Sequence, residues 1–384
     1  MNHTPEIIGG IPYTNKSLFH KMRFAIGDSA VWIGNLKGDG KSLLFVRDIE
    51  MSRARAAAAA NNITCSAEYV PEGGLSGDRD TALAQAVAEC FVRHRIKKVK
   101  SDRSLPYIFA WHIQQRGIEI AYSPELGTIE RRVKSNQEIE HLTKAQEVTA
   151  KAMTMACEWI ATSNANKDGI LFQGQEQVSS ESVKRKITQF LINEGFSTPS
   201  GSIVATVPHV ADCHHFGTGP LKTGLPIIVD IFPKDDTTHY NGDCTRTVVH
   251  GDPDDIVLKM HKAVVGAKKA GCEELAPGTT GENVHKKTIK TLFDHGFDFR
   301  RGSANTENSI PAMRHGTGHG IGLDVHEPIL LDDGGGKILP NEVFTVEPGL
   351  YSTKLGGVRV EDMVQVTESG HKILCELHEG LFWK

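Results

Sequence analysis

The chain has 384 residues, with 43 Lys and Arg against 47 Asp and Glu and a formal charge of −4, a length that predicts two domains with sizeable cores. Balanced charge excludes a polybasic nucleic-acid surface and an acidic tail, leaving small neutral or zwitterionic partners. No run of about 18 apolar residues occurs, the first residues lack a basic start and apolar core, and the seven cysteines are scattered and never spaced CxxC, so the expectation is a cytoplasmic protein with free thiols and no membrane contact.

Residues 1–133 read as α/β. SAVWIGNL (29–36) and KSLLFVRD (41–48) are short apolar strands, SRARAAAAAN (52–61) is a helix by propensity, TALAQAVAECFVRH (81–94) is a second helix, and KKVK (97–100) is a strand. GNLKGDGKS has the look of a phosphate loop, but five residues separate Gly34 from Gly40 where the fingerprint has four. The context is strand–turn–strand, so it reads as a hairpin turn.

The second domain, 134–384, opens at RRVKSNQEIEHL. Ser135 and Glu138 form a capping box, and Ile139, Leu142, Ala145, Val148, Ala152, Met155 and Trp159 mark one face of a long helix. Further amphipathic helices follow at 179–195, 254–271 and 281–296, so strands and helices come in two successive sets.

Within this half, LPIIVDIFPKDDTTHYNGDCTRTVV ends one apolar strand at Asp230 and starts the next at Asp243, with a turn between them that lets the strands pair. Downstream come RHGTGHGIGLDVHEP, VFTVEPGLY and GVRVED, which place His319 and His326 among glycines, and Glu347 and Glu361 in runs that alternation reads as strands. A carboxylate in an apolar strand is costly to bury unless paired or bound to a cation. Four carboxylates and an imidazole are hard ligands suited to Mn, Co, Zn or Fe(II). One dication would leave two of the four charges uncompensated, so the set calls for two divalent metal ions.

IVD, NGDCTRT, GHGIGLDVHE, TVEPGLY and GVRVED, in this order, resemble the pita-bread metallopeptidases, most closely the Xaa-Pro dipeptidases (prolidases) and aminopeptidase P. The resemblance is strong over residues 135–384 and looser before. It implies an α/β (α+β) fold, with a creatinase-like N-terminal domain over 1–133 and a pita-bread catalytic domain over 134–384 whose curved antiparallel sheet holds the metals. The implied ligands are Asp230, Asp243, His319, Glu347 and Glu361, with manganese favoured. His326 becomes a donor to the substrate, a cap by neighbouring Glu327 being the plain alternative. His214, sixteen residues before Asp230 in PHVADCHHFGTGPLKTG, becomes a substrate contact, with His209 and His215 as alternatives. Arg359 shares a strand face with Glu361 and can orient the acids or bind a substrate carboxylate.

The implied reaction is hydrolysis of the peptide bond before proline in short peptides, by a homodimer in which the first domain packs on the partner subunit. The alternative is a non-peptidase of the same fold: an ectoine-hydrolase-like or creatinase-like C–N hydrolase, or a dimethylsulfoniopropionate-type lyase. Asp243 lies thirteen positions after Asp230 where the family's second aspartate lies eleven after the first, and the longer hairpin is expected to thicken the pocket wall.

Overall fold

The computed structural model describes residues 4–301 and 309–384. The chain divides into two compact units, Met1–Arg131 and Arg132–Lys384. Among the described residues no helix is long and apolar enough to cross a membrane.

The first unit is built on a sheet of six strands, β1 (Glu6–Gly10), β2 (Ala30–Gly34), β3 (Ser42–Phe45), β4 (Asn62–Thr64), β5 (Lys98–Ser101) and β6 (Glu119–Tyr122), in the order β4-β3-β2-β1-β5-β6. Successive side chains face opposite sides. Ile7, Val31, Ile33 and Phe45 pack with Leu83, Val87 and Phe91 of helix Arg79–Arg93, while Ile8, Trp32 and Leu44 pack with Leu18 and Met22 of helix Lys16–Met22. Burial on both faces explains why these strands read as unbroken apolar runs. GNLKGDGKS is the turn between antiparallel β2 and β3, closed by the Asn35 N–H donating to the Lys41 carbonyl at 2.9 Å. The alanine-rich helix covers only Met51–Ala57: Ala58 is extended, and the Ala59 N–H donates to the Met22 carbonyl at 2.8 Å. That tertiary bond outweighs a propensity advantage of a few tenths of a kcal/mol per alanine.

In the second unit, helix Asn136–Ala161 starts with the capping box its sequence announces: Ser135 Oγ accepts the Glu138 N–H, and Glu138 Oε2 accepts the Ser135 N–H. Such a cap contributes about 1 kcal/mol. Leu142, Ala145, Val148 and Ala152 are buried as the period requires, but so are Thr149, Met153, Ala156, Cys157 and Ile160, while Met155 and Trp159 are only partly covered. The buried stripe is wider because the helix packs on strands Pro226–Ile231 and Cys244–Val249 as well as on helix Ser180–Asn193.

Strands Ser202–Ala205, Pro226–Ile231 and Cys244–Val249 form one antiparallel sheet. The C-terminal part forms another, through Glu327–Leu331, Gly318–Gly320, Val343–Val346, Asp362–Val366 and His371–Ile373, alongside the antiparallel pair Gly349–Ser352 and Gly356–Arg359. Helices Asp255–Glu274 and Gly281–Asp294 cover this half. Two expectations change in detail. Glu347 and Glu361 lie just past the ends of strands Val343–Val346 and Gly356–Arg359, not inside them. Of the Asp230–Asp243 hairpin, Phe232 lines the cavity, while the rest is tied elsewhere: Lys234–Asp235 pairs with Phe196–Ser197, Tyr240 Oη donates to Glu138 Oε1 at 2.5 Å, and Asn241 Nδ2 donates to the Gly322 carbonyl.

Candidate metal centre

Asp230 reaches the site by strand alternation. Its neighbours Val229 and Ile231 point into the core under the long helix, while Ile228 and Asp230 point the other way. Across the hairpin Asp230 pairs with Thr245, and Asp243 stands just before that strand. Asp243 is fixed by Gln146 of the long helix, whose amide accepts the Asp243 N–H at 3.0 Å and donates to the Asp243 carbonyl at 2.9 Å. His319 sits at a bulge in strand Gly318–Gly320. A Cβ on Gly318 would lie 1.9 Å from the Thr345 carbonyl oxygen, and one on Gly320 2.7 Å from that of Pro328, so the flanking glycines let neighbouring strands close around the imidazole.

A cavity of about 430 Å³ collects every residue singled out from the sequence: Asp230, Asp243, His319, Glu347, Glu361, His214, His326 and Arg359. Ligand atoms of Asp243, His319 and Glu361 lie within 4.8 Å of one another. Glu347 Oε1 is 3.4 Å from His319 Nε2, and Asp243 Oδ2 is 3.8 Å from it. Asp230 stands across from this group, with one oxygen on Arg359 Nη2 at 2.6 Å and the other buried without a hydrogen-bond partner. Each of the other two Arg359 nitrogens also has a partner, since Nη1 donates to Tyr351 Oη at 2.9 Å and Nε to Thr245 Oγ1 at 3.1 Å.

The electrostatics ask for cations. His319 Nδ1 lies 3.1 Å from the Gly320 carbonyl, which can only accept, so Nδ1 carries the proton and Nε2 turns a lone pair toward the carboxylates. Burial, aided by His326, lowers the His319 pKa to about 3 and keeps the ring neutral. Burial followed by repulsion from Glu361, Asp230 and Glu347 pushes Asp243 well above the usual carboxylate range, and burial with Glu347 and Asp230 does the same to Glu361. Glu347 rises to about 7, burial prevailing over the opposing pull of Arg359. Burial alone would lower Arg359, but Tyr351, Asp230 and Glu347 hold it well above its ordinary value. Two unit charges 4 Å apart repel by about 4 kcal/mol at an effective dielectric of 20, and one guanidinium cannot balance four carboxylates. The orphaned Asp230 oxygen and the inward lone pair of His319 fit divalent cations.

His326 lies on the same cavity, its ring 4.3 Å from that of His319. Glu327 does not cap it: this carboxylate is paired with Lys134 Nζ at 2.9 Å and accepts the Leu323 N–H. Of the three upstream histidines, His214 lines the cavity, whereas His209 and His215 stack on each other at 4.3 Å. Several residues here carry no signal of their own in the sequence. Gln146 fixes Asp243, Thr245 donates to Glu361 Oε2 at 2.7 Å, and His315 joins Tyr351 Oη at 2.6 Å, extending the line from Arg359. Thr245 and Thr345 could have been found by alternation, each lying two residues from a site carboxylate.

Fold and site together define a metal-dependent hydrolase of pita-bread architecture. The model of metallopeptidase family M24 matches residues 140–368, and the chain belongs to that family, whose members bind divalent metal. Among its relatives, the Xaa-Pro dipeptidase of Pyrococcus horikoshii is 26% identical over 291 residues, covering 74% of this chain and 75% of the relative. The probable dipeptidase PepE of Mycobacterium tuberculosis is 31% identical over 242 residues, 62% of this chain and 57% of its own length. Among solved structures, the Xaa-Pro dipeptidase from Bacillus anthracis matches with a TM-score of 0.78 at 22% identity, covering 99% of this chain and 95% of that one. The X-Pro aminopeptidase from Thermotoga maritima matches with a TM-score of 0.77 at 20% identity, covering 99% and 97%.

Proposed function

We propose that this M24 hydrolase cleaves the peptide bond before proline in short peptides, as an Xaa-Pro dipeptidase or aminopeptidase with two divalent cations per chain, manganese favoured. The observation that carries the reading is the convergence of four carboxylates and a neutral imidazole on one cavity with Arg359 as their fixed counter-charge. The relatives named for Xaa-Pro cleavage support the substrate class.

Asp230, Asp243, His319, Glu347 and Glu361 would hold the cations, with Arg359 and Thr245 fixing Asp230 and Glu361 in place. When bound, the cations supply hydroxide at neutral pH and polarise the scissile carbonyl. Glu347 holds the proton released from the attacking water and passes it to the leaving nitrogen. Thr345 Oγ1, 3.4 Å from Glu347 Oε1, keeps that carboxylate in place. His326 and His214 line the cavity as donors to the substrate carbonyl and backbone as charge develops. The test is elemental analysis of the purified protein with a panel of Xaa-Pro dipeptides, longer Xaa-Pro peptides and creatine. Cleavage before proline with two metals per chain is expected; turnover of creatine alone would move the assignment to the non-peptidase branch.

A further inference from the structure

Arg314 has no role in the site described above. It follows strand Ala312–Met313 and immediately precedes His315 and Gly316, both on the cavity wall. The residue as a whole is half-buried, yet its three guanidinium nitrogens are buried and none has a hydrogen-bond partner among the described residues. This inverts the usual arrangement, in which arginine covers apolar surface with its stem and keeps the charged head in water. A desolvated guanidinium with no acceptor is costly, and native proteins keep such groups where an ion or ligand completes them.

Among the described residues its surroundings carry no spare anion. The charge it senses is that of Arg300, which already binds Asp298 Oδ2 at 2.7 Å through Nε, while burial pushes the neighbouring Cys213 thiol up and keeps it neutral. Cys213 and His315, its neighbours in space and in sequence, line the cavity, so Arg314 lies behind the cavity wall. Arg359, the arginine expected to meet a substrate carboxylate, has its nitrogens committed to Asp230, Tyr351 and Thr245. The free fork is that of Arg314.

We propose that Arg314 is the cationic half of an anion site beside the catalytic cavity and takes a carboxylate-sized monoanion in its guanidinium fork. The anion has two sources: the C-terminal carboxylate of a peptide in the cavity, or a free small anion. The peptide source rests on the proline-peptidase reading; the free-anion source does not.

Two measurements on the metal-loaded protein test the site. In the first, thermal midpoints are read against sodium acetate for wild type and Arg314→Met; the wild-type midpoint rises with the logarithm of acetate and the variant lags behind it. In the second, kcat/KM is compared for an Xaa-Pro peptide with a free C-terminus and for its C-terminal amide. If the substrate supplies the anion, wild type prefers the free acid by about tenfold or more, the worth of one charge-assisted pair, and Arg314→Met erases the preference. A difference confined to the acetate arm assigns the site to a free anion. Arg314→Met matching wild type in both arms overturns the proposal. If wild type cleaves neither peptide, the peptidase reading has failed and the acetate arm alone decides. Should Arg314→Met not fold, Arg314→Lys, which keeps the charge and loses the fork, is read in the same arms.

Discussion

At the scale of single residues, what matters is which groups hold cations and which meet the substrate. His326 is on the cavity but outside the group formed by Asp243, His319 and Glu361. His326→Ala is therefore expected to keep its metals and to lose roughly a hundredfold or more in turnover, the scale of one transition-state donor. Metal analysis beside steady-state kinetics checks this, and loss of metal would exchange the roles of His319 and His326. The carboxylates make a second prediction, for protein stripped of metal by chelation. Glu347 rises from 4.5 to about 7 on folding, and Asp243 and Glu361 move the same way through burial and mutual repulsion. Folding thus favours their protonated forms, so their contribution to stability is whole below about pH 4 and is lost as pH rises through 7. Thermal midpoints from pH 4 to 8 should show that fall in chelated protein and much less of it after metal is restored.

At the scale of elements, the long helix does more than cover the sheet. Gln146 is buried and holds both backbone groups of Asp243. Gln146→Leu keeps the volume but leaves an N–H and a carbonyl unpaired, each costing about 1–3 kcal/mol. The variant should denature at lower urea and bind metal about 10–100-fold more weakly, the usual effect of losing an outer partner of a ligand. Unchanged metal affinity would make Gln146 a purely structural residue. The site carboxylates were legible because a carboxylate in an apolar run has few other reasons to exist, and Asp230, Asp243, Glu347 and Glu361 all stand in or beside such runs. The Gln146 clamp and the His315–Tyr351–Arg359 line were not legible, because their partners come from segments far apart in sequence and neither Gln nor Tyr in an apolar stretch signals chemistry. The path of the long hairpin was not legible for a similar reason: Tyr240 finds Glu138, 102 residues away, while Phe232 of the same hairpin lines the cavity. The short alanine helix shows the same limit, since only the fold brings Met22 to Ala59.

For the whole molecule, the first unit contributes none of the residues assigned to chemistry. Its surface includes Tyr107, Tyr122 and Trp111, exposed to 76%, 62% and 44%. Large exposed aromatic side chains of this kind commonly mark interaction surfaces. A homodimer is proposed on that basis, and light scattering with sedimentation should give twice the chain mass of 42.0 kDa, while a monomer across the micromolar range would contradict it. The central claim is that the cavity of the second unit is a two-cation centre whose ligands include Glu361. The most direct measurement is metal bound per chain, followed together with cleavage of an Xaa-Pro dipeptide, as divalent metal is returned to chelated wild type and Glu361→Ala. Two metals per wild-type chain, with turnover appearing as they bind, and at least one metal and all activity lost in Glu361→Ala are the predicted result. A Glu361→Ala protein that holds two metals and turns over at the wild-type rate would contradict it.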